Sequence, residues 1–166
     1  MTVANVSSFL PVARPDARVL ILGSMPGIAS LEARRYYAHP RNAFWPIMSD
    51  LCGFDLALPY EQRLQRAQDA GLALWDVLAS CARPGSLDSA IETDSIRTND
   101  FDQFFADHRS VNAVFCNGAT AFKLYEKDHT RAIADAGFRG AGARKEAARR
   151  WKEEVAAQSD TWREYE

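Results

Sequence analysis

Short apolar runs alternate with amphipathic stretches along this chain, and turn residues separate them. "RVLIL" at 18–22 has the length and unbroken apolarity of a strand buried on both faces, and it stops at Gly23. "LALWDVL" at 72–78 and "VNAVFC" at 111–116 repeat the pattern and predict two more strands. Helical signals lie between them. Ser30 stands as an N-cap with Glu32 in the first turn, and "NAFWPIMSDLCG" sets Phe44, Ile47, Met48 and Leu51 on one face before Gly53. "PYEQRLQRAQDAG" opens on Pro59 and closes on Gly71, while "NDFDQFFADH" predicts a helix capped by Asn99 or Asp100. Asn117-Gly118 turns the third strand into another helix, and the polar segment 80–98 reads as a long loop.

Strands alternating with helices predict an α/β fold with a short, mostly parallel sheet flanked by helices. Ligands bind such sheets beyond the carboxyl ends of the strands, so the loops starting at Gly23, Asp76 and Asn117 share one rim. Residues 128–166 differ in character. They are rich in Ala, Arg, Lys and Glu, give no convincing fourth strand, and predict an exposed helix beyond about residue 143 with Ala147, Trp151 and Val155 four apart. Nothing divides the chain, so one domain over 1–166 is expected.

Composition narrows the choice of partners. A formal net charge of −2 offers no global positive field for nucleic acid, although Arg34, Arg35 and Arg41 can supply a local patch. Cys52, Cys81 and Cys116 lack CxxC or Cys/His spacing, so free thiols and no metal are expected. No run approaches the roughly 20 apolar residues of a membrane span. The first residues lack a basic segment followed by an apolar one, which makes the cytoplasm the expected compartment. Neither GxGxxG nor GxxxxGK[ST] occurs, so no nucleotide cofactor is implied, and a monomer is expected.

Candidate chemistry concentrates in 23–45. Gly23 and Gly27 around Pro26 suit close approach of backbone to a ligand, and equally a plain turn. Tyr36 and Tyr37 are adjacent, so both cannot face the core, and one is free to line a cleft. Phe44 and Trp45 belong to the apolar helical face. Asn42 has the position of a helix cap, His39 before Pro40 that of a turn residue, and no triad spacing is present. Local physics leaves both turn-and-cap and pocket readings open.

The stretches "LILGSMPGIASLEARRYYAHPRNAFWPIM", "GLALWDVLASCARPGSLDSAI", "NDFDQFFADH" and "VFCNGATAF" together resemble the uracil-DNA glycosylase superfamily, most of all its DNA-deoxyinosine (hypoxanthine-DNA) glycosylase group, over about residues 8–127. The resemblance implies a three-layer α/β/α sandwich and an enzyme that hydrolyses the N-glycosidic bond of a deaminated base, hypoxanthine or uracil, flipped out of DNA. It implies no cofactor. Most members carry Asp or Asn inside the first turn to position water; Met25 occupies that place here. The hypoxanthine group is similar in lacking it and uses the Asn of "HPxNxFW", which maps onto Asn42. Tyr37 falls where mismatch-specific relatives stack an aromatic on the base, and Gly23, Ser24, Met25, Pro26 and Gly27 form the base-binding turn. Asn117 is a further base-contacting candidate, and Ser30 and Arg41 are candidates for DNA phosphate.

The chain departs from the family in one place. The family's second motif, typically "LPSTSPA", grips phosphates, whereas this chain reads "RAIADAGFRGAGARKEAARRW" at 131–151. That keeps a second reading in play, a catalytically weak or inactive member that only binds DNA or a partner. A small-molecule α/β hydrolase would need an activated nucleophile that the sequence does not offer.

Overall fold

A computed structural model describes residues 4–128. In chain order the elements are β1 (Asn5–Ser7), β2 (Val19–Gly23), α1 (Ile28–Ala33), α2 (Phe44–Cys52), α3 (Tyr60–Asp69), β3 (Leu72–Asp76), β4 (Leu78–Ala82), β5 (Arg97–Thr98), α4 (Phe101–Asp107), β6 (Ala113–Cys116) and α5 (Ala119–Asp128). The central sheet has the order β3-β2-β6, with β2 parallel to both neighbours. Every residue of β2 and β3 is buried, which is why both read as unbroken apolar runs. With helices on the sheet, this is the helix-flanked parallel sheet expected from the βα alternation and the α/β/α architecture that the family resemblance implies. Trp45, Met48 and Leu51 of α2, Phe101 and Phe104 of α4, and Tyr125 of α5 join the same core as the central strands.

The apolar run 72–78 is two strands rather than one. After Asp76 the chain leaves the parallel sheet, Val77 N–H donating to Gly23 O at 2.8 Å and Leu78 N–H to Ser24 O at 3.1 Å. β4 then joins an antiparallel sheet of order β1-β4-β5. The segment 80–98 is therefore not a plain loop: it holds the end of β4, two short 3-10 turns and β5. Its register comes from pairing with β1 at the other end of the chain, a long-range cause that local composition does not announce.

Helix ends follow the same division between local and tertiary causes. Asp100 caps α4 by accepting from Gln103 N–H at 3.0 Å, as its residue type predicts. Ser30 does not begin α1. The cap position is Gly27, and Ser30 is buried inside the helix, its hydroxyl accepting from Ala38 N–H at 3.0 Å. The three cysteines are free, and burial raises the pKa of each thiol. The readings of a missing fourth strand, of a C-terminal helix and of an absent second motif lie outside the described residues.

Candidate functional site

Gly23 ends β2 opposite Asp76 at the end of β3, and Asn117 N–H donates to Leu22 O at 2.7 Å just past β6. The three strands thus deliver their carboxyl ends to one place. Gly23 is required there by proximity, since a Cβ on it would lie 2.6 Å from Asp76 Oδ1 and 3.3 Å from the Tyr37 hydroxyl oxygen. The loop after β4 braces the turn from outside. Arg83 is buried, its Nη2 donating to Pro26 O at 2.7 Å and its Nε to Gly85 O at 2.8 Å. Ser24 Oγ donates to Asp88 Oδ1 at 2.7 Å, and Ser86 Oγ accepts from Ile28 N–H at 2.8 Å.

The chain after α1 separates the two adjacent tyrosines. Tyr36 is buried and held on three sides: its N–H donates to the Tyr60 hydroxyl, its hydroxyl donates to Leu10 O, and its carbonyl accepts from Trp45 Nε1. Tyr37 has the left-handed backbone φ of +55°, a conformation that costs a side chain of this size about 1–3 kcal/mol. That twist turns its ring away from Tyr36 and onto Phe44, stacked at 3.8 Å between centroids and 20° between planes. The Tyr37 hydroxyl is buried, without a hydrogen bond of good geometry. Burial and then Asp76 raise its pKa against a smaller opposing effect of Asn117, so the phenol stays neutral.

A pocket of about 200 Å³ opens between these pieces. Its walls include Gly23, Ser24, Met25, Pro26, Gly27, Tyr37, Asn42 and Asn117, eight residues singled out from the sequence for base binding or catalysis. Ser30 also reaches it, from a buried position in the wall, whereas Arg41 is exposed and is not part of the lining. Asn42 Oδ1 accepts from Phe44 N–H at 2.9 Å at the start of α2, as the cap reading expects, and the residue also lines the pocket.

Sequence reasoning placed Asp76 at the rim and missed it as a site residue. It is 4% exposed, and its buried Oδ2 has no hydrogen-bond partner. Burial above all, then the charge of Asp88, raises its pKa to about 7, against the opposing pull of Arg83. The available signal was an acid closing an otherwise apolar strand at the carboxyl edge of the sheet. Among the described residues no His, Cys, Asp and Glu side chains cluster as metal ligands, and no helix is long and apolar enough to cross a membrane.

The pocket at the sheet rim thus brings together the Tyr37 ring, the Asn42 side chain and the buried Asp76 carboxyl. The family model of the uracil DNA glycosylase superfamily matches residues 10–160, and the chain belongs to that superfamily. It is 37% identical over 89 residues to a hypoxanthine DNA glycosylase of Methanosarcina barkeri, a match covering 53% of this chain and 56% of that protein. A hypoxanthine DNA glycosylase of Methanosarcina acetivorans is 36% identical over 94 residues, 56% of this chain and 58% of that protein. The chain thus matches little more than half the length of these two relatives. The solution NMR structure of a Methanosarcina acetivorans protein provisionally described as a uracil DNA glycosylase superposes with a TM-score of 0.70 at 27% identity, over 92% of this chain and 96% of that one.

Proposed function

We propose that the protein is a monofunctional DNA glycosylase that hydrolyses the bond between deoxyribose and a deaminated base, hypoxanthine first and uracil second, after the nucleotide leaves the duplex. The observation that carries this reading is the convergence of the 23–27 turn, Tyr37, Asn42, Asp76 and Asn117 on one pocket. Extruding a nucleotide costs a few kcal/mol, least at a mispaired base. Stacking on Tyr37, which Phe44 backs from behind, offsets about 1–3 kcal/mol of it.

Hypoxanthine and uracil share a lactam edge, an N–H beside a C=O. A neutral carboxyl matches that edge, its C=O accepting from the N–H and its O–H donating to the base oxygen. Asp76 is such a group below about pH 7. When ionised it has only acceptors, and the base oxygen meets negative charge. In the reaction the C1′–N bond breaks with its electron pair leaving on the base, the oxygen of water adds to C1′, and the proton that water sheds ends on the released base. Asn42 is no general base at neutral pH, so its part is to hold the water and the oxocarbenium-like sugar in line, while the Asp76 O–H steadies charge on the departing base.

The test is incubation of the protein with oligonucleotides carrying one hypoxanthine or one uracil, followed by alkali. Strand cleavage at the modified position supports the reading. Salt-sensitive binding without cleavage supports the weak or inactive member instead, the reading kept in play by the sequence at 131–151 that lacks the family's second motif.

A further inference from the structure

Across the wall that Tyr37 and Asn42 make, the base pocket has a neighbour, a hollow of about 350 Å³ lined in part by the same two residues. Its floor is aromatic and its sides are cationic. The Arg35 guanidinium lies 5.4 Å from the Tyr60 ring centroid, and that of Arg63 lies 4.9 Å from Trp45 and 5.7 Å from Tyr60. These ring contacts keep both groups beside the hollow, and Arg63 Nε donates to Leu58 O at 3.1 Å. Among the described residues no carboxylate pairs with either arginine. Burial first and then the charge of Arg35 lower the Arg63 pKa, against smaller opposing effects of Tyr60 and Glu61. Two guanidinium groups held over one ring without a counter-charge form a site that an oxyanion completes.

We propose that this hollow seats a backbone phosphate of the DNA strand carrying the extruded nucleotide, its non-bridging oxygens held by Arg35 and Arg63. The proposal rests on the glycosylase reading and deepens it by fixing where the strand runs. A base in the first pocket brings its sugar to Asn42, and the hollow begins at that residue, within one nucleotide along the strand. The site also supplies the positive patch that a net charge of −2 conceals.

The experiment measures binding to a duplex with one 2′-fluoro-deoxyinosine, whose fluorine slows bond cleavage, at salt concentrations from 50 to 200 mM, the range over which phosphate contacts are lost at about 0.9 in log–log slope each. Arg35→Gln/Arg63→Gln is expected to reduce the slope by about 0.9 relative to the unaltered protein. Arg63→Lys, which keeps the charge, is expected to retain most of it. Arg63 packs on Trp45 and Tyr60, so thermal melting confirms that the double variant folds, and the exposed Arg35→Gln alone must shift the slope in the same direction. An unchanged slope in folded variants, with hypoxanthine still excised from an ordinary duplex by the unaltered protein, overturns the phosphate site alone. Absence of that excision overturns the glycosylase reading.

Discussion

Burial and the charge of Asp88 bring Asp76 to a pKa of about 7 against the pull of Arg83, so this one carboxyl changes charge in the range where the protein would work. Hydrogen bonding to a lactam needs the protonated form. Excision of hypoxanthine should therefore fall as pH rises through about 7, and Asp76→Asn, which keeps a donor beside an acceptor at every pH, should flatten that limb in a pH–rate profile. Stability gives a second readout of opposite kind. The folded state holds a proton on Asp76 between pH 3.8 and about 7 that the unfolded chain has lost, so this stabilisation is complete below 3.8 and disappears as pH rises through 7. Urea denaturation should show Asp76→Asn gaining on the unaltered protein between acid and pH 8, by on the order of 4 kcal/mol for a shift of about three pKa units. Tyr37→Ala removes the plate and should weaken binding to hypoxanthine-containing DNA by about 5–150-fold, the equivalent of 1–3 kcal/mol, with the salt slope unaltered.

At the scale of elements the site depends on how tightly β2, β3 and the 83–88 loop meet. Gly23→Ala puts a methyl 2.6 Å from Asp76 Oδ1, and that carboxylate is packed rather than free to swing. Equilibrium binding should show a loss of base-dependent affinity larger than the loss of thermal stability. Arg83→Met leaves Pro26 O without its donor inside the protein. A cost of about 1–3 kcal/mol in denaturant unfolding is expected, with loosening of the first turn. These elements differ in how well the chain announces them. β2 and β3 are buried in the parallel sheet and β6 is half-buried beside them, and their apolarity is a local property that a reader of the sequence meets directly. β1, β4 and β5 exist because residues 5–7 lie beside 80–82, and nothing in "NVS" or "SCA" says so. Ser30 misled for the opposite reason: its residue type favours a cap, but Gly27 starts the helix one turn earlier.

The molecule as a whole combines an acidic formal charge with a proposed DNA face confined to one rim. The turn and Asn117 were legible because each follows a recognisable strand, whereas the aromatic segment lies between α1 and α2 and only the family resemblance pointed to it. Asp76 was not legible, since its character comes from burial and from Asp88 and Arg83, which are distant in sequence from the pocket's other walls. The account stands or falls on Asn42, whose carboxamide holds the start of α2 and is proposed to assist the reaction. Asn42→Asp keeps the acceptor for Phe44 N–H at the start of α2 and puts a charged carboxylate oxygen where the NH2 group was, whereas Asn42→Ala removes the acceptor and the NH2 group together and should cost about 0.5–2 kcal/mol of stability. Single-turnover excision of hypoxanthine decides between them. The account predicts that Asn42→Ala loses about 10²–10³-fold in rate, while Asn42→Asp, whose carboxylate can still hold the water beside the oxocarbenium-like sugar, stays well above Asn42→Ala and melts like the unaltered protein. Full-rate excision by Asn42→Ala would contradict it.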